Sequence, residues 1–321
     1  MTSRPDLLLV GRPADDLRAA LGRSFRVTDL ADEAAAARVG PEVEAIAAFG
    51  KGPVDDALMA RLPRLRIVAN FGVGYDGVDA AAAARRGIVV TNTPNVLDDE
   101  VADTAVGLLI ATVREFGAAE RHLRAGRWAS EGPFRLTSSL RGRTVGLVGM
   151  GRIGQAIARR LEAFGLPVVY HSRRPNPDVP YAHYPDLAAM AAEVDTLVVI
   201  VPGGADTKNL IDARILAALG PDGVLVNMAR GSVIDEDALI AALRDGVIRS
   251  AGLDVYAHEP HVPAALIALE NAVLLPHVGS ASVATRRAMA DLVVANLEAY
   301  AAGEPPLSPV AETPFRGWPA D

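Results

Sequence analysis

Four residues with side chains suited to anion and proton chemistry follow apolar segments in the second half of the chain. Arg230 closes Val226-Asn227-Met228-Ala229-Arg230-Gly231, and Asp254 and Glu259 lie along Gly252-Leu253-Asp254-Val255-Tyr256-Ala257-His258-Glu259-Pro260. His277 follows Leu274-Leu275-Pro276. A guanidinium holds a carboxylate bidentately and polarises a neighbouring carbonyl. A histidine titrates where a proton donor to a developing alkoxide is useful. A carboxylate beside that histidine favours the protonated ring and fixes its orientation, the role expected of Glu259. The set Arg230, Glu259 and His277 therefore suits reduction of a carbonyl next to a carboxylate. Singly, Arg230 could be a surface ion pair and His277 the cap of a strand end; three such residues behind three strands argue for joint chemistry.

Other polar groups carry less. His258-Glu259-Pro260-His261 is no zinc helix, because its histidines are three apart and proline breaks a helix. No metal is expected. His122, His171 and His183 read as surface or structural residues.

A second constellation precedes the first. Residues 144–148 form an apolar strand running into Gly149-Met150-Gly151-Arg152-Ile153-Gly154 and then a helical pattern. In such a G-x-G-x-x-G loop the first glycine permits the turn and the second lets backbone approach a pyrophosphate. The third lets helix and strand pack closely. The helix N-terminus then offers free N–H groups and the positive end of a dipole. The next strand ends in Tyr170-His171-Ser172-Arg173-Arg174, with no carboxylate before Asp178. An acid there would bond the ribose hydroxyls of NAD; a serine and two guanidiniums suit a 2′-phosphate, so NADP(H) is preferred, with NAD(H) possible.

Apolar runs alternating with alanine-rich helical patterns supply the frame, the signature of parallel sheets with crossover helices. The early strands fall at 7–10, 45–48, 66–69 and 88–90, with helices at 13–21, 54–61 and 78–85. The alanine-rich stretches 31–37 and 80–84 read as helix rather than low complexity, since alanine is the best helix former. One long helix covers 99–124. Six strands follow at 144–148, 168–171, 195–201, 223–227, 250–255 and 272–275, the number of a doubly wound dinucleotide domain. Helices are expected at 153–164, 207–218, 235–244 and 283–302. The C-terminal strand ends of such a sheet face the ligand crevice, which gathers Arg230, Asp254, Glu259 and His277.

Bulk properties exclude other classes. The 321 residues suit two domains. A net charge of −7 with scattered basic residues argues against nucleic acid. The apolar runs are too short for a membrane span or a signal peptide. The lack of cysteine excludes disulfides and fits a reducing, cytoplasmic setting.

On these motifs the sequence resembles the D-isomer-specific 2-hydroxyacid dehydrogenase family over essentially its whole length. The resemblance implies an α/β protein of two Rossmann-like doubly wound parallel-sheet domains with the active site in the cleft between them. Residues 1–99, completed by 284–321, would form the substrate domain, and 100–283 the dinucleotide domain. It implies catalysis by Arg230, Glu259 and His277. Asn70-Phe71-Gly72-Val73-Gly74-Tyr75-Asp76 looks like the family's substrate loop, with the Val73 and Gly74 N–H groups on the substrate carboxylate. Asp254 matches a contact of the nicotinamide carboxamide, and Thr104 lies on a helix reaching the cofactor. Further cofactor contacts are expected at Gly149, Gly151, Arg152, Ile153, Gly154, Ser172, Arg173, Arg174, Val201, Pro202, Ala229 and Gly279. Within the family the motifs look most like glyoxylate/hydroxypyruvate and hydroxyphenylpyruvate reductases. Trp128 resembles a tryptophan that enters the partner subunit's substrate pocket, which implies a homodimer. Ser280 and that Trp128 would shape the space beyond C2, favouring glyoxylate and hydroxypyruvate as the 2-oxo acids reduced to D-2-hydroxy acids. Alternatives are bulkier acids (2-ketogluconate, hydroxyphenylpyruvate), 3-phosphoglycerate, or a non-catalytic cofactor-sensing protein.

Overall fold

The protein, described as a computed structural model, is defined over residues 4–32, 34, 37, 38, 40–50 and 52–318. Residues 33, 35 and 36 of the alanine-rich stretch 31–37 lie outside the described residues. The chain divides into two units, Met1–Leu97 with Val283–Asp321, and Asp98–Ser282.

In the first unit, β1 (Asp6–Val10), β2 (Arg26–Asp29), β3 (Val43–Phe49), β4 (Ile67–Phe71) and β5 (Val89–Thr91) pair in the order β2-β1-β3-β4-β5, all parallel. Every residue of β1 is buried. A strand covered on both faces needs no polar alternation, so an unbroken apolar run is its natural sequence. Helices α1 (Asp15–Ser24), α2 (Asp56–Ala60) and α3 (Ala80–Arg85) cross between strands. Asp55 and Asp79 cap the last two by accepting from the Leu58 and Ala82 N–H groups, each cap contributing about 1 kcal/mol.

The second unit holds α4 (Asp98–Val113), α5 (Phe116–Arg124) and α6 (Arg127–Glu131), then β6 (Val145–Val148), α7 (Arg152–Ala163), β7 (Val168–His171) and β8 (Ala182–Tyr184). It continues through α8 (Leu187–Glu193), β9 (Thr196–Val199), α9 (Ala213–Leu219), β10 (Val224–Asn227), α10 (Glu236–Arg244), β11 (Ser250–Leu253), α11 (Ala264–Ile267) and β12 (Ala272–Leu274). Seven parallel strands run β12-β11-β10-β9-β6-β7-β8, the dinucleotide order with one strand added beyond its sixth. The order reverses between β6 and β9, where such sheets open a crevice for ligand. The core on one face joins β6, β9, β10 and β11 to α8, α9 and α10. On the other, α4 lies against β11, where a Cβ on Gly252 would come within 2.5 Å of Thr112 Oγ1. The final helix, α12 (Val283–Ala301), belongs to the first unit, with Val293 and Leu297 buried beside β1, β3 and β4.

Three sequence expectations are corrected. The long helix at 99–124 breaks after Val113, because Glu115 takes a left-handed conformation (φ 53°) and starts α5 afresh. The helix expected at 207–218 begins only at Ala213: Asp212 accepts from the Ile215 N–H as its cap, and Ile211 before it bridges to Ile234. The second sheet has seven strands, not six. The strand not expected there, β8, and the equally unexpected β2 of the first sheet are short edge strands with exposed or half-exposed residues. Paired on one side only, they show no apolar run. No described helix is long and apolar enough to cross a membrane.

Candidate active site

Gly149 stands just past the end of β6, where the sheet order reverses. Its φ of 112° and the 2.8 Å that a Cβ would have to the Ile200 carbonyl oxygen both demand glycine. A Cβ on Gly154 would lie 2.4 Å from the Gly149 oxygen, so this residue sets how closely α7 approaches β6. Nothing lies within 4 Å of where a Gly151 Cβ would sit, and no side chain caps α7. Uncapped N–H groups at the start of a twelve-residue helix, with room beside Gly151, are what a pyrophosphate needs. The residues present therefore fit a dinucleotide. Arg152 and Ile153 open α7, and the Arg152 Nε lies 3.2 Å from Asp98 Oδ2. Val201 and Pro202 follow β9 on the other side of the reversal.

At the end of β7 the Ser172 hydroxyl donates to the Arg174 carbonyl at 2.6 Å, and the Ser172 carbonyl is bonded by the His183 ring. Both guanidiniums stay in solvent. Arg173 lies 3.5 Å from Asp206, with side chains 87% and 81% exposed, a pair that water screens almost fully. His171 contacts the Tyr184 carbonyl and His122 that of Gly132, so these rings serve backbone groups.

The ends of β10, β11 and β12 differ in kind. Glu259 Oε2 accepts from His277 Nδ1 at 2.8 Å, and its other oxygen accepts the Tyr256 N–H at 3.0 Å. Glu259 is 14% exposed and His277 45%, so the carboxylate is shielded while the ring stays open to a ligand. An ionised carboxylate only accepts, which puts a hydrogen on Nδ1 and leaves Nε2 for the substrate. Arg230 lies just beyond β10 with Nη1 donating to the Ala229 carbonyl at 2.7 Å. The loops meet without intervening side chains: a Cβ on Gly231 would fall 1.8 Å from the Tyr256 carbonyl carbon. Asp254 accepts the Val278 and Gly279 N–H groups at 2.7 and 2.8 Å. Burial pushes its carboxyl above the usual range, while those two N–H bonds pull the other way. Thr104 on α4 donates to the Gly279 carbonyl at 3.2 Å.

In the first unit, Val73 and Gly74 lie beyond β4 in a loop whose carbonyls are tied down. The Asn70 amide donates to the Gly72 and Gly74 oxygens, and Asn92 to that of Val73. The N–H groups of Val73 and Gly74 have no hydrogen-bond partner among the described residues. Trp128, on α6, is 62% exposed and borders a hollow of about 300 Å³ with Leu123 and Phe134. Within the second unit, then, Glu259 and His277 meet directly, and Thr104, Asp254 and Gly279 form one cluster. Arg173 and Arg174 stand apart, beyond β7. Asn227 and Tyr256, to which the sequence motifs assign no role, are hubs of the backbone around Arg230 and His277.

Residues 106–279 match the family model of the D-isomer specific 2-hydroxyacid dehydrogenase NAD binding domain. Among solved structures, the chain is 55% identical to an NADPH-dependent glyoxylate/hydroxypyruvate reductase of Sinorhizobium meliloti in complex with NADP and malonate, with a TM-score of 0.94 over 99% of this chain and 100% of that one. A glyoxylate/hydroxypyruvate reductase of Arabidopsis thaliana is 40% identical, covering 96% of this chain and 98% of its own. A 2-ketogluconate reductase of Gluconobacter oxydans is also 40% identical, over 97% and 100%.

Proposed function

The chain belongs to the D-isomer specific 2-hydroxyacid dehydrogenase family, and on that premise we propose that it reduces small 2-oxo acids, glyoxylate and hydroxypyruvate first, to D-2-hydroxy acids with NADPH. The observation that carries this reading is the His277–Glu259 hydrogen bond at 2.8 Å beyond β11 and β12, the two strands that follow the β10 leading into Arg230, in the sheet whose β6 end forms the phosphate loop. When bound, the reduced nicotinamide supplies the hydride that C2 receives. Arg230 binds the acid and polarises its ketone, and His277 Nε2 gives its proton to the C2 oxygen. Glu259 keeps Nδ1 protonated throughout, so the ring passes from imidazolium to one defined neutral tautomer. The Val73 and Gly74 N–H groups receive the substrate carboxylate. Gly149, Gly151 and Gly154, with Arg152 and Ile153, hold the pyrophosphate; Val201, Pro202, Ala229 and Gly279 border the cofactor.

NADPH preference rests on Ser172, Arg173 and Arg174 at the β7 end, where an NAD-binding acid would stand. The relative from Sinorhizobium, NADPH-dependent and carrying NADP, supports it. A homodimer is supported by Phe116, Leu123, Trp128 and Leu136, all more than half exposed within 116–136, too much apolar surface in one arm to leave wet. Trp128 would serve the partner subunit's pocket, and with Ser280 it would favour a small C3 group. A cysteine-free chain suits the cytoplasm.

The test is kcat/KM for glyoxylate, hydroxypyruvate, pyruvate, 2-ketogluconate and 4-hydroxyphenylpyruvate with each reduced cofactor. Hydroxypyruvate should lead with NADPH. A pocket that bonds the C3 hydroxyl should lose only about 1–3 kcal/mol on pyruvate, which makes pyruvate slow rather than inert. A tenfold lead for the bulky acids, as a likeness to 2-ketogluconate reductase allows, would refute the small pocket and leave the chemistry standing.

A further inference from the structure

Two fully buried polar side chains stand at the ends of neighbouring strands, Asn227 (1% exposed) closing β10 and Asp254 (2%) following β11. They are joined through the backbone, the Asp254 N–H donating to the Asn227 carbonyl at 3.1 Å. Neither carries out a step in the chemistry above, yet each grips the segment of one residue that does. Asn227 Oδ1 accepts the Ala229 N–H at 3.0 Å, and its amide nitrogen donates to the Arg230 carbonyl at 3.1 Å. Asp254 takes the N–H groups of Val278 and Gly279, the two residues after His277, one on each oxygen. His277 itself sits at φ +55°, a left-handed conformation uncommon outside glycine that its surroundings must help to hold.

The two side-chain types match what each segment presents. The backbone at Ala229 and Arg230 offers one N–H and one carbonyl, and only an amide both accepts and donates across that span. The backbone at Val278 and Gly279 offers two N–H groups, and only an ionised carboxylate accepts each on its own oxygen. Burial works against that charge, and the two N–H bonds favour it. We propose that Asn227 and Asp254 are a matched pair of positioning residues, Asn227 setting Arg230 and Asp254 setting His277 through their backbones. The proposal rests on the roles given above to Arg230 and His277.

Its test is to exchange the two chemistries, Asn227→Asp and Asp254→Asn, which change hydrogen-bonding polarity with almost no change of shape. Folding is checked by thermal melting and NADPH affinity by nicotinamide fluorescence. In Asp254→Asn an NH2 faces one of the two N–H groups. Hydroxypyruvate reduction at saturating NADPH should then lose roughly 10–100-fold in kcat, the scale of a reacting group displaced by up to an ångström. The pH profile should move with it, while NADPH affinity stays within about threefold of wild type. In Asn227→Asp two oxygens face each other, and the loss should fall mainly on KM for hydroxypyruvate. If Asp254→Asn only weakens NADPH, with kcat and pH profile intact, Asp254 serves the nicotinamide and the proposal is overturned. Wild-type constants in both exchanges overturn it too. Should Asp254→Asn not fold, Gly279→Ala is the substitute, since its Cβ would lie 2.9 Å from Asp254 Oδ2 and from Met228 Cε and so crowds the same grip. It should show the same kcat loss, and an unchanged kcat counts against the proposal. His277→Ala separates the two levels: if it keeps turnover, the catalytic reading falls. If it is inactive while the exchanges behave as wild type, only the positioning falls.

Discussion

The ends of β10–β12 and the end of β7 belong to one sheet, and both present charged side chains, yet they are built on opposite principles. Beyond β10–β12, Glu259 has both oxygens engaged, and buried Asn227, Asp254 and Tyr256 spend their polar atoms on backbone groups. Beyond β7, Arg173 and Arg174 stand in solvent, with one loose ion pair to Asp206. Proton transfer needs reacting atoms placed to a fraction of an ångström, and fixed groups achieve this. Recognition of a phosphate tolerates mobile guanidiniums, because charge attraction falls slowly with distance and several geometries serve. Buried wiring therefore marks the proposed chemistry, and exposed charge marks cofactor choice.

The largest expected effect lies in the wired region. His277→Ala should lower kcat by roughly 10²–10⁴, the range for a lost general acid, while fluorescence titration finds NADPH binding retained. Near-normal turnover would dissolve the contrast at its source. Glu259→Gln keeps the shape and removes the charge, and should cost about 1.5–3 kcal/mol in kcat/KM, the value of a hydrogen bond to a charged group. Turnover like that of wild type would show that the carboxylate charge adds nothing to the placement of the ring.

In the exposed region, changing Arg173 and Arg174 together to Ala should raise KM for NADPH about tenfold and leave NADH and kcat nearly untouched, less than two full charge-assisted bonds because solvent screens both groups. This loss should shrink as salt is added, whereas that of His277→Ala should not. A wild-type preference for NADH would reverse the cofactor assignment. The smallest effect is expected of Tyr256→Phe, which removes the 2.9 Å bond from the phenol to the Leu275 carbonyl. About 1 kcal/mol of stability should go, read as a fall of a few degrees in Tm with kcat hardly changed. For the arm at 116–136, light scattering at micromolar concentration should report a dimer; a lone 33.6 kDa species would contradict that proposal.

Much of this was legible in residue order alone. The glycine loop with strand before and helix after, the apolar runs of the central strands, and the Arg230, Glu259 and His277 types all act locally, through backbone freedom, burial on both faces and intrinsic chemistry. The edge strands β2 and β8 escaped notice because pairing on one side leaves no apolar signature. The break at Glu115 did so because a left-handed glutamate is imposed by its surroundings and not by its own preference. What Asp254 and Tyr256 do was decided by tertiary structure alone. Asn227 bonds backbone two and three residues on, but Asp254 and Tyr256 reach Val278, Gly279 and Leu275 beyond β12. A carboxylate or a phenol in a motif does not say which backbone groups will face it once the sheet has formed.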